Sequence, residues 1–377
     1  MKLSIRKKDL LRNLTRTHSV ADRKSSMPIL SNILVSAREP TILTLAATDL
    51  YLAVTTSTAA EIQRDGTCAV SARTLFDIVK NLPESEVHLS VDENNAMEIR
   101  AAKVRYRIPG MPGGDFPSLP TPGDASFVDI DTDTLDRLIT LTHYSMSSDD
   151  TRPHLAGTLF EGEGKSVRMV TTDGHRLSKA ETTLEREDPL QFSMLVPAKG
   201  VTELRRLIDD APVDRKGGEA AASDVGIALA GGSVFFRRDG VELSIKLADE
   251  QFPPYSKVIP QASPSRLTVA RVVLTEALRR VSLMASDKSG AVRFNIEPGQ
   301  VQVTSENPEV GEGSEEIEVG YAGEAVNIGF NARYLLDVLG ALSDDEVVLE
   351  FGGQLDPGVV RPANEGGFVG VVMPMRI

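Results

Sequence analysis

Polar and apolar residues alternate along Thr41-Ile42-Leu43-Thr44-Leu45, along Ser166-Val167-Arg168-Met169-Val170 and along Gln300-Val301-Gln302-Val303. A period of two sends successive side chains to opposite faces, so each run predicts a strand with one buried face. Elsewhere the period is helical. Leu274, Leu278, Val281 and Met284 recur at three- and four-residue spacing inside a stretch from Leu267 to Ala285. That spacing predicts a strand leading into an amphipathic helix. Leu3 to Val20 and Val128 to Met146 predict the same pair.

These matches are parts of one unit written three times. Ser71-Ala72-Arg73-Thr74-Leu75-Phe76-Asp77-Ile78-Val79 aligns without a gap on Pro197-Ala198-Lys199-Gly200-Val201-Thr202-Glu203-Leu204-Arg205 and on Asn331-Ala332-Arg333-Tyr334-Leu335-Leu336-Asp337-Val338-Leu339. Each opens with a capping residue or Pro, then Ala, a base, and apolar-x-acid-apolar, which predicts a short helix after a strand. Thr48-Asp49-Leu50, Thr172-Asp173-Gly174 and Ser305-Glu306-Asn307 each end an alternating strand. Pro-rich stretches, Pro117 to Gly123 and Phe252 to Pro264, separate the copies. The expected domains are 1–124, 125–260 and 261–377. Strands joined by short turns favour an α+β fold of antiparallel sheets with helices on one face. Gly217 to Ser223 is expected to be an exposed loop.

Composition narrows the class. The 377 residues include 41% hydrophobic side chains, no Trp and a single cysteine, Cys68. One cysteine excludes an internal disulfide and a multi-cysteine metal site, and Cys68 is expected as a small buried side chain. There is no apolar run long enough for a membrane span, and Met1 to Lys8 carries no apolar core like that of a signal peptide. A reducing cytoplasm fits. No cofactor or metal is expected.

The net charge of −13 argues against nucleic acid only as an average, because the layout of charge matters more than its sum. The expected helices carry Arg6, Lys7, Lys8, Arg12 and Arg16; Arg73 and Lys80; Lys199, Arg205 and Arg206; Arg271, Arg279 and Arg280; and Arg333. Acids concentrate in Glu181 to Asp188, Glu306 to Glu318 and Asp344 to Glu346. For a single helix such bases are a solvated face; their repetition in three copies suggests one basic surface. No recognition helix, zinc finger or RNA-stacking motif accompanies them. Any nucleic-acid contact is therefore expected to be phosphate-directed and indifferent to sequence.

Asp173, His175 and Ser178 invite an acid–base or nucleophilic reading. In an extended segment, His175 and Ser178 point to opposite faces, because their separation is odd. No glycine-rich phosphate loop or metal-ligand cluster supports an enzyme. The alternative is that Asp173-Gly174 is a tight turn beside a binding surface.

The chain resembles the bacterial DNA polymerase III beta subunit family of sliding clamps over essentially its whole length. The specific parts are Leu155-Ala156-Gly157-Thr158-Leu159-Phe160-Glu161, Thr172-Asp173-Gly174-His175-Arg176-Leu177, Phe252-Pro253-Pro254-Tyr255, Phe330 to Leu339 and Val371 to Ile377. The resemblance implies three clamp-type domains per chain and a head-to-tail homodimeric ring, with two helices of each domain on the inner face. It implies a non-catalytic processivity factor that encircles double-stranded DNA. Its partners are the replicative polymerase subunit, the clamp loader and other replication and repair proteins, docked through short linear peptides. The implied peptide pocket comprises Leu155, Thr172, Gly174, His175, Arg176, Leu177, Pro253, Val258, Asn331, Tyr334, Val371, Met373, Pro374, Met375 and Arg376. Flexible, polarisable Met side chains suit a pocket that accepts several partners.

Lys24, Arg73, Lys199, Arg205, Arg206, Arg279 and Arg280 are expected to face DNA. Lys103, Arg105 and Arg107 are expected to meet Glu309, Glu315 and Glu316 of a second copy. The chain departs from the family at Lys257, often Arg, and at Ser289, a Phe in some members. Asp149, Pro153 and His154 also depart, so no DNA contact is carried over to them. A protein-binding scaffold that does not encircle DNA is the alternative function.

Overall fold

The computed structural model describes residues 1–22, 25–149, 151–209, 224–286, 290–364 and 366–376. Lys24, Ser289, Ile377 and the Gly217 to Ser223 stretch lie outside the described residues. Among the described residues no helix is long and apolar enough to cross a membrane. The six α-helices among the described residues are α1 (Lys7–Thr17), α2 (Ala72–Asn81), α3 (Thr132–Thr142), α4 (Ala198–Asp209), α5 (Arg271–Val281) and α6 (Ala332–Ala341). They fall two to a repeat, at the positions that the threefold alignment predicts.

The capping residues act as their chemistry suggests. Ser71 Oγ accepts from Thr74 N at the start of α2. Asn331 Oδ1 accepts from Arg333 N at 2.9 Å and Tyr334 N at 3.4 Å at the start of α6. Each satisfies main-chain donors that the first helical turn leaves without partners. The buried stripes are Ala72, Leu75 and Val79 in α2, and Ala332, Leu335, Val338 and Leu339 in α6. Arg73, Lys80 and Arg333 lie on the exposed sides.

Among the described residues all strand pairing within the sheets is antiparallel, and the two largest sheets cross the repeat boundaries. The chain forms two compact units, residues 1–135 with 202–247 and residues 136–201 with 248–377. In the first unit, Leu52–Ala59 of the first repeat pairs with Val241–Lys246 of the second, inside a nine-stranded sheet. In the second unit, Arg176–Thr183 pairs with Phe368–Val372 of the third repeat, inside an eight-stranded sheet. The central repeat is thus shared between the units.

Two smaller sheets complete them. The first unit carries a five-stranded sheet that ends on Val104–Ile108. The second carries a four-stranded sheet that ends on Gly311–Glu318.

A buried phenylalanine anchors each Pro-rich stretch at or just before its start. Phe116 is buried with Ile29, Leu30 and Ala69. Phe252 is buried with Val170, Leu177, Leu195, Val359 and Val371. Cys68 is fully buried, and burial pushes its thiol pKa up.

Two local expectations need correction. Arg6 ends the first strand and caps α1 rather than lying within it. Lys7 is buried, and its ammonium reaches Glu84 at 2.9 Å, so it adds nothing to an exposed basic face. Ser305, Glu306 and Asn307 are the last three residues of the strand Gln300–Asn307, as expected, and all three pair with Gly311–Glu318.

Replacing Ser71 with Ala is expected to cost about 1 kcal/mol through loss of the α2 cap. Thermal unfolding should show a lower midpoint, and an unshifted midpoint would mean that the cap contributes nothing.

Candidate functional site

The Thr172–Arg176 turn is a closed hydrogen-bond cage. Thr172 Oγ1 donates to Arg176 O at 2.6 Å and accepts from Gly174 N at 3.1 Å. Asp173 Oδ1 accepts from His175 N at 2.8 Å and from Arg176 N at 3.0 Å. Gly174 sits at φ +91°, where a side chain would be strained.

The first repeat builds the same cage. Thr48 Oγ1 donates to Leu52 O at 2.7 Å, Leu50 N donates to Thr48 Oγ1 at 2.9 Å, and Asp49 Oδ1 accepts from Tyr51 N and Leu52 N. There Leu50 holds the left-handed position at φ +77°. A polar strand exit is therefore scaffold, common to two repeats.

Arg176 is particular to the second repeat, and its guanidinium is committed within the chain. Nε donates to Asp173 Oδ2 at 3.0 Å, Nη1 to Asp337 Oδ2 at 2.5 Å and Nη2 to Tyr144 O at 2.6 Å. Its Cζ also lies 4.5 Å from the centroid of the Tyr334 ring and 5.6 Å from that of Tyr144. A planar fork with several donors suits such a crossing point, where an ammonium would satisfy fewer partners. Arg176 thus braces the turn against α6 instead of presenting a free donor to a ligand.

Behind it, the Tyr144 hydroxyl accepts from Ser178 Oγ at 2.8 Å, and the hydroxyls of Ser145 and Ser178 lie 2.7 Å apart. Burial pushes the Tyr144 phenol well above its ordinary pKa, against the lowering by Ser178 and Arg176. The three hydroxyls form a buried, mutually satisfied set. Ser178 is fully buried while His175 is exposed, and the Asp173 carboxylate is used by the turn. Asp173, His175 and Ser178 do not converge on one point.

The chain's last strand and tail run alongside the turn. Leu177 is in register with Val371 and Arg176 with Val372. Met373 N donates to His175 O at 2.9 Å, and Met375 N donates to Gly329 O at 2.8 Å. Residues 252–259 lie over the same sheet, with Phe252, Tyr255 and Ile259 packed on the cluster that contains Leu177 and Val371. Tyr255 Oη donates to Glu161 Oε2 at 3.0 Å. Burial, then the charge of Glu161, pushes the Tyr255 pKa up to about 12.

The expected pocket residues divide by exposure. Leu155, Leu177 and Val371 are buried, and Thr172 nearly so. Pro253, Tyr334, Pro374 and Met375 are half-buried. Gly174, His175, Val258, Met373 and Arg376 are exposed. Asn331 is occupied as the α6 cap.

Tyr144, Arg152 and Asp337 were not among the expected site residues. Arg152 Nη1 donates to Asp173 O at 3.0 Å while its Nε holds Asp149 Oδ2 at 2.9 Å. Thr151 and Arg152 together keep the Asp149 carboxyl below its ordinary pKa. Pro153 and His154 form the one-turn helix that ends on Leu155. Asp337 was visible only as the acid of the repeated helix motif.

The basic positions carry acidic neighbours. Arg73 pairs with Asp77 at 3.5 Å, Arg206 with Glu203 at 2.5 Å and Arg279 with Glu276 at 2.8 Å. Lys199 is exposed and Arg205 half-buried. Arg280 makes a two-pronged contact with Glu315, at 2.8 and 2.6 Å. That hydrogen bonding holds the Glu315 carboxyl below the usual range. A residue expected at DNA and one expected at a subunit contact are therefore partners within one chain.

On the Val104–Ile108 edge, Arg105 meets Glu98, and Arg107 meets Asp92 at 2.6 Å. Lys103, Glu309 and Glu316 are exposed.

Three sequence profiles match the chain in order. They describe the N-terminal, central and C-terminal domains of the DNA polymerase III beta subunit, over residues 1–120, 129–254 and 256–376. The beta sliding clamp of Caulobacter vibrioides is 36% identical over 383 residues, covering 100% of both chains. That of Escherichia coli K12 is 31% identical over 379 residues, again covering 100% of both. The solved structure of the DNA polymerase III subunit beta from Pseudomonas aeruginosa superposes with a TM-score of 0.93 at 31% identity, covering 100% of each chain. By profile, relatives and fold, the chain belongs to the DNA polymerase III beta subunit family, the beta sliding clamps.

Proposed function

We propose that this sliding clamp closes as a head-to-tail homodimer around duplex DNA and tethers the replicative polymerase and other replication and repair proteins to it. The role is topological and non-catalytic, and its setting is the cytoplasm. The observation that carries the ring is a pair of sheet edges of opposite charge. Val104–Ile108 ends one sheet with Lys103, Arg105 and Arg107 on or beside it. Gly311–Glu318 ends another with Glu312, Glu315, Glu316 and Glu318. An exposed edge offers main-chain donors and acceptors to another strand, and opposite charge selects the partner. Two such contacts, related by twofold symmetry, close a ring.

A closed ring retains DNA without gripping it. The bases Arg73, Lys199, Arg205, Arg206, Arg279 and Arg280 lie beside carboxylates or within other contacts, which favours weak phosphate attraction and sliding. Lys24 belongs to the same proposed surface.

The proposed docking groove for short linear peptides has Leu155, Leu177 and Val371 as its apolar floor. Thr172, Gly174, His175, Pro253, Val258, Asn331, Tyr334, Met373, Pro374, Met375 and Arg376 surround it, and Arg176 holds the turn in place. The replicative polymerase subunit and the clamp loader are its proposed users.

Three outcomes follow. Protein loaded on nicked circular DNA should be released when the circle is cut; a scaffold that does not encircle DNA would not be retained beforehand. Removing Met373 to Ile377 should abolish peptide binding in a fluorescence-anisotropy assay and leave the dimer intact by sedimentation, whereas loss of the dimer would make the tail structural. Replacing Arg205, Arg206, Arg279 and Arg280 with Ser should weaken DNA retention more than peptide binding, and equal loss of both would count against an inner basic wall.

A further inference from the structure

The repeat lets the surroundings of Asp337 be compared with the equivalent place in the first unit. The alignment rests on shared hydrogen bonds. Thr17 Oγ1 donates to Asn13 O as Thr142 Oγ1 donates to Leu138 O. His18 Nδ1 lies 2.9 Å from Leu14 O as His143 Nδ1 lies 3.0 Å from Ile139 O. Ser19 therefore stands in the register of Tyr144. The two turn cages put Leu52 in the register of Arg176, and Val54 in that of Ser178. The helix motif puts Gly200 in the register of Tyr334, and Glu203 in that of Asp337.

The acid is kept at both places, but its companions are not. Around Asp337 the space is taken by the Arg176 guanidinium and two tyrosine rings. Around Glu203 those groups are reduced to Leu, Ser and Gly. What remains is a cavity of about 460 Å³, lined in part by Val54, Leu207, Val241 and Leu243, with Arg16, Arg206, Asp209, Ser19 and Glu203 among its polar members. Glu203 is 7% exposed. Its Oε1 accepts from Arg206, a residue of its own helix with a side chain 57% exposed, and its Oε2 accepts from Ser19 Oγ at 3.2 Å. Two acceptor oxygens carry about four lone-pair directions, so among the described residues these two bonds leave acceptor capacity beside an apolar floor. A nearly buried carboxylate gains most from a cation that enters its own low-dielectric space.

We propose that this cavity binds a small amphipathic cation: a planar guanidinium or amidinium carried on an aromatic ring. The cation sits against Glu203 as Arg176 sits against Asp337. The ring lies on Val54 and Leu243, supplying the bulk that Tyr144 supplies at the other place. A planar fork pairs with a carboxylate through two parallel hydrogen bonds, a geometry that an ammonium lacks. The site is separate from the peptide groove and from the sheet edges, so its existence does not rest on the proposed function.

The test uses the full-length protein and benzamidine, followed by calorimetry and by the methyl resonances of Val54 and Leu243. Saturable binding that moves those methyls is expected. Benzamide, the neutral analogue, should bind about tenfold more weakly or worse, as should benzamidine to Glu203→Gln, because each lacks one partner of a charge-assisted pair. Leu52→Arg installs the guanidinium covalently and should abolish binding. Ser19→Tyr, which fills the ring's place, should do the same and serves if Leu52→Arg fails to fold. The proposal is overturned if benzamidine does not bind, if benzamide binds equally well, or if benzamidine binds the folded cavity-filling variant as it binds the parent.

Discussion

Main-chain hydrogen bonding between strands of different repeats is the constraint from which the site follows. Each repeat alone would leave sheet edges whose donors and acceptors need partners. Leu52–Ala59 meets that need with Val241–Lys246, and Arg176–Thr183 meets it with Phe368–Val372. The second pairing brings the turn after Thr172 beside residues almost two hundred positions later. The tail then continues along it, fixed by Met373 N to His175 O and Met375 N to Gly329 O. The same pairing lets Arg176 reach Asp337 from across a repeat boundary.

The two cages show how a duplicated scaffold acquires different chemistry. Their hydrogen bonds are alike, because Thr and Asp side chains satisfy the same turn in the same way. The difference lies in what leaves the cage. Arg176 leads inward to a carboxylate, a carbonyl and two rings, whereas Leu52 leads to a place where the carboxylate's hydrogen-bond partners among the described residues are its own helix's arginine and a serine. One arrangement is filled and held by charge-assisted bonds. The other keeps open space over an apolar floor.

Much of this organisation was legible in the sequence. The helices, their caps at Ser71 and Asn331 and the threefold period depend on local spacing, which a sequence displays directly. What local spacing cannot display is the partner that a long side chain chooses. Lys7 has the periodic placement of a surface base, yet it is buried on Glu84. Arg280 and Glu315 were separated into two expected surfaces, though the fold joins them. The role of Arg176 as a brace depends on Tyr144 and Asp337, brought in by two different helical segments, and no short motif contains all three.

The burial of Cys68 has a practical consequence. Its thiol lies inside the first unit, shielded from solvent and raised in pKa by that burial, so the reactive thiolate is suppressed. The chain has no other sulfhydryl. A cysteine introduced at an exposed position on either terminal sheet edge would stand alone chemically. The native background is already suited to disulfide trapping of the two edges and to placing a single dye on each protomer.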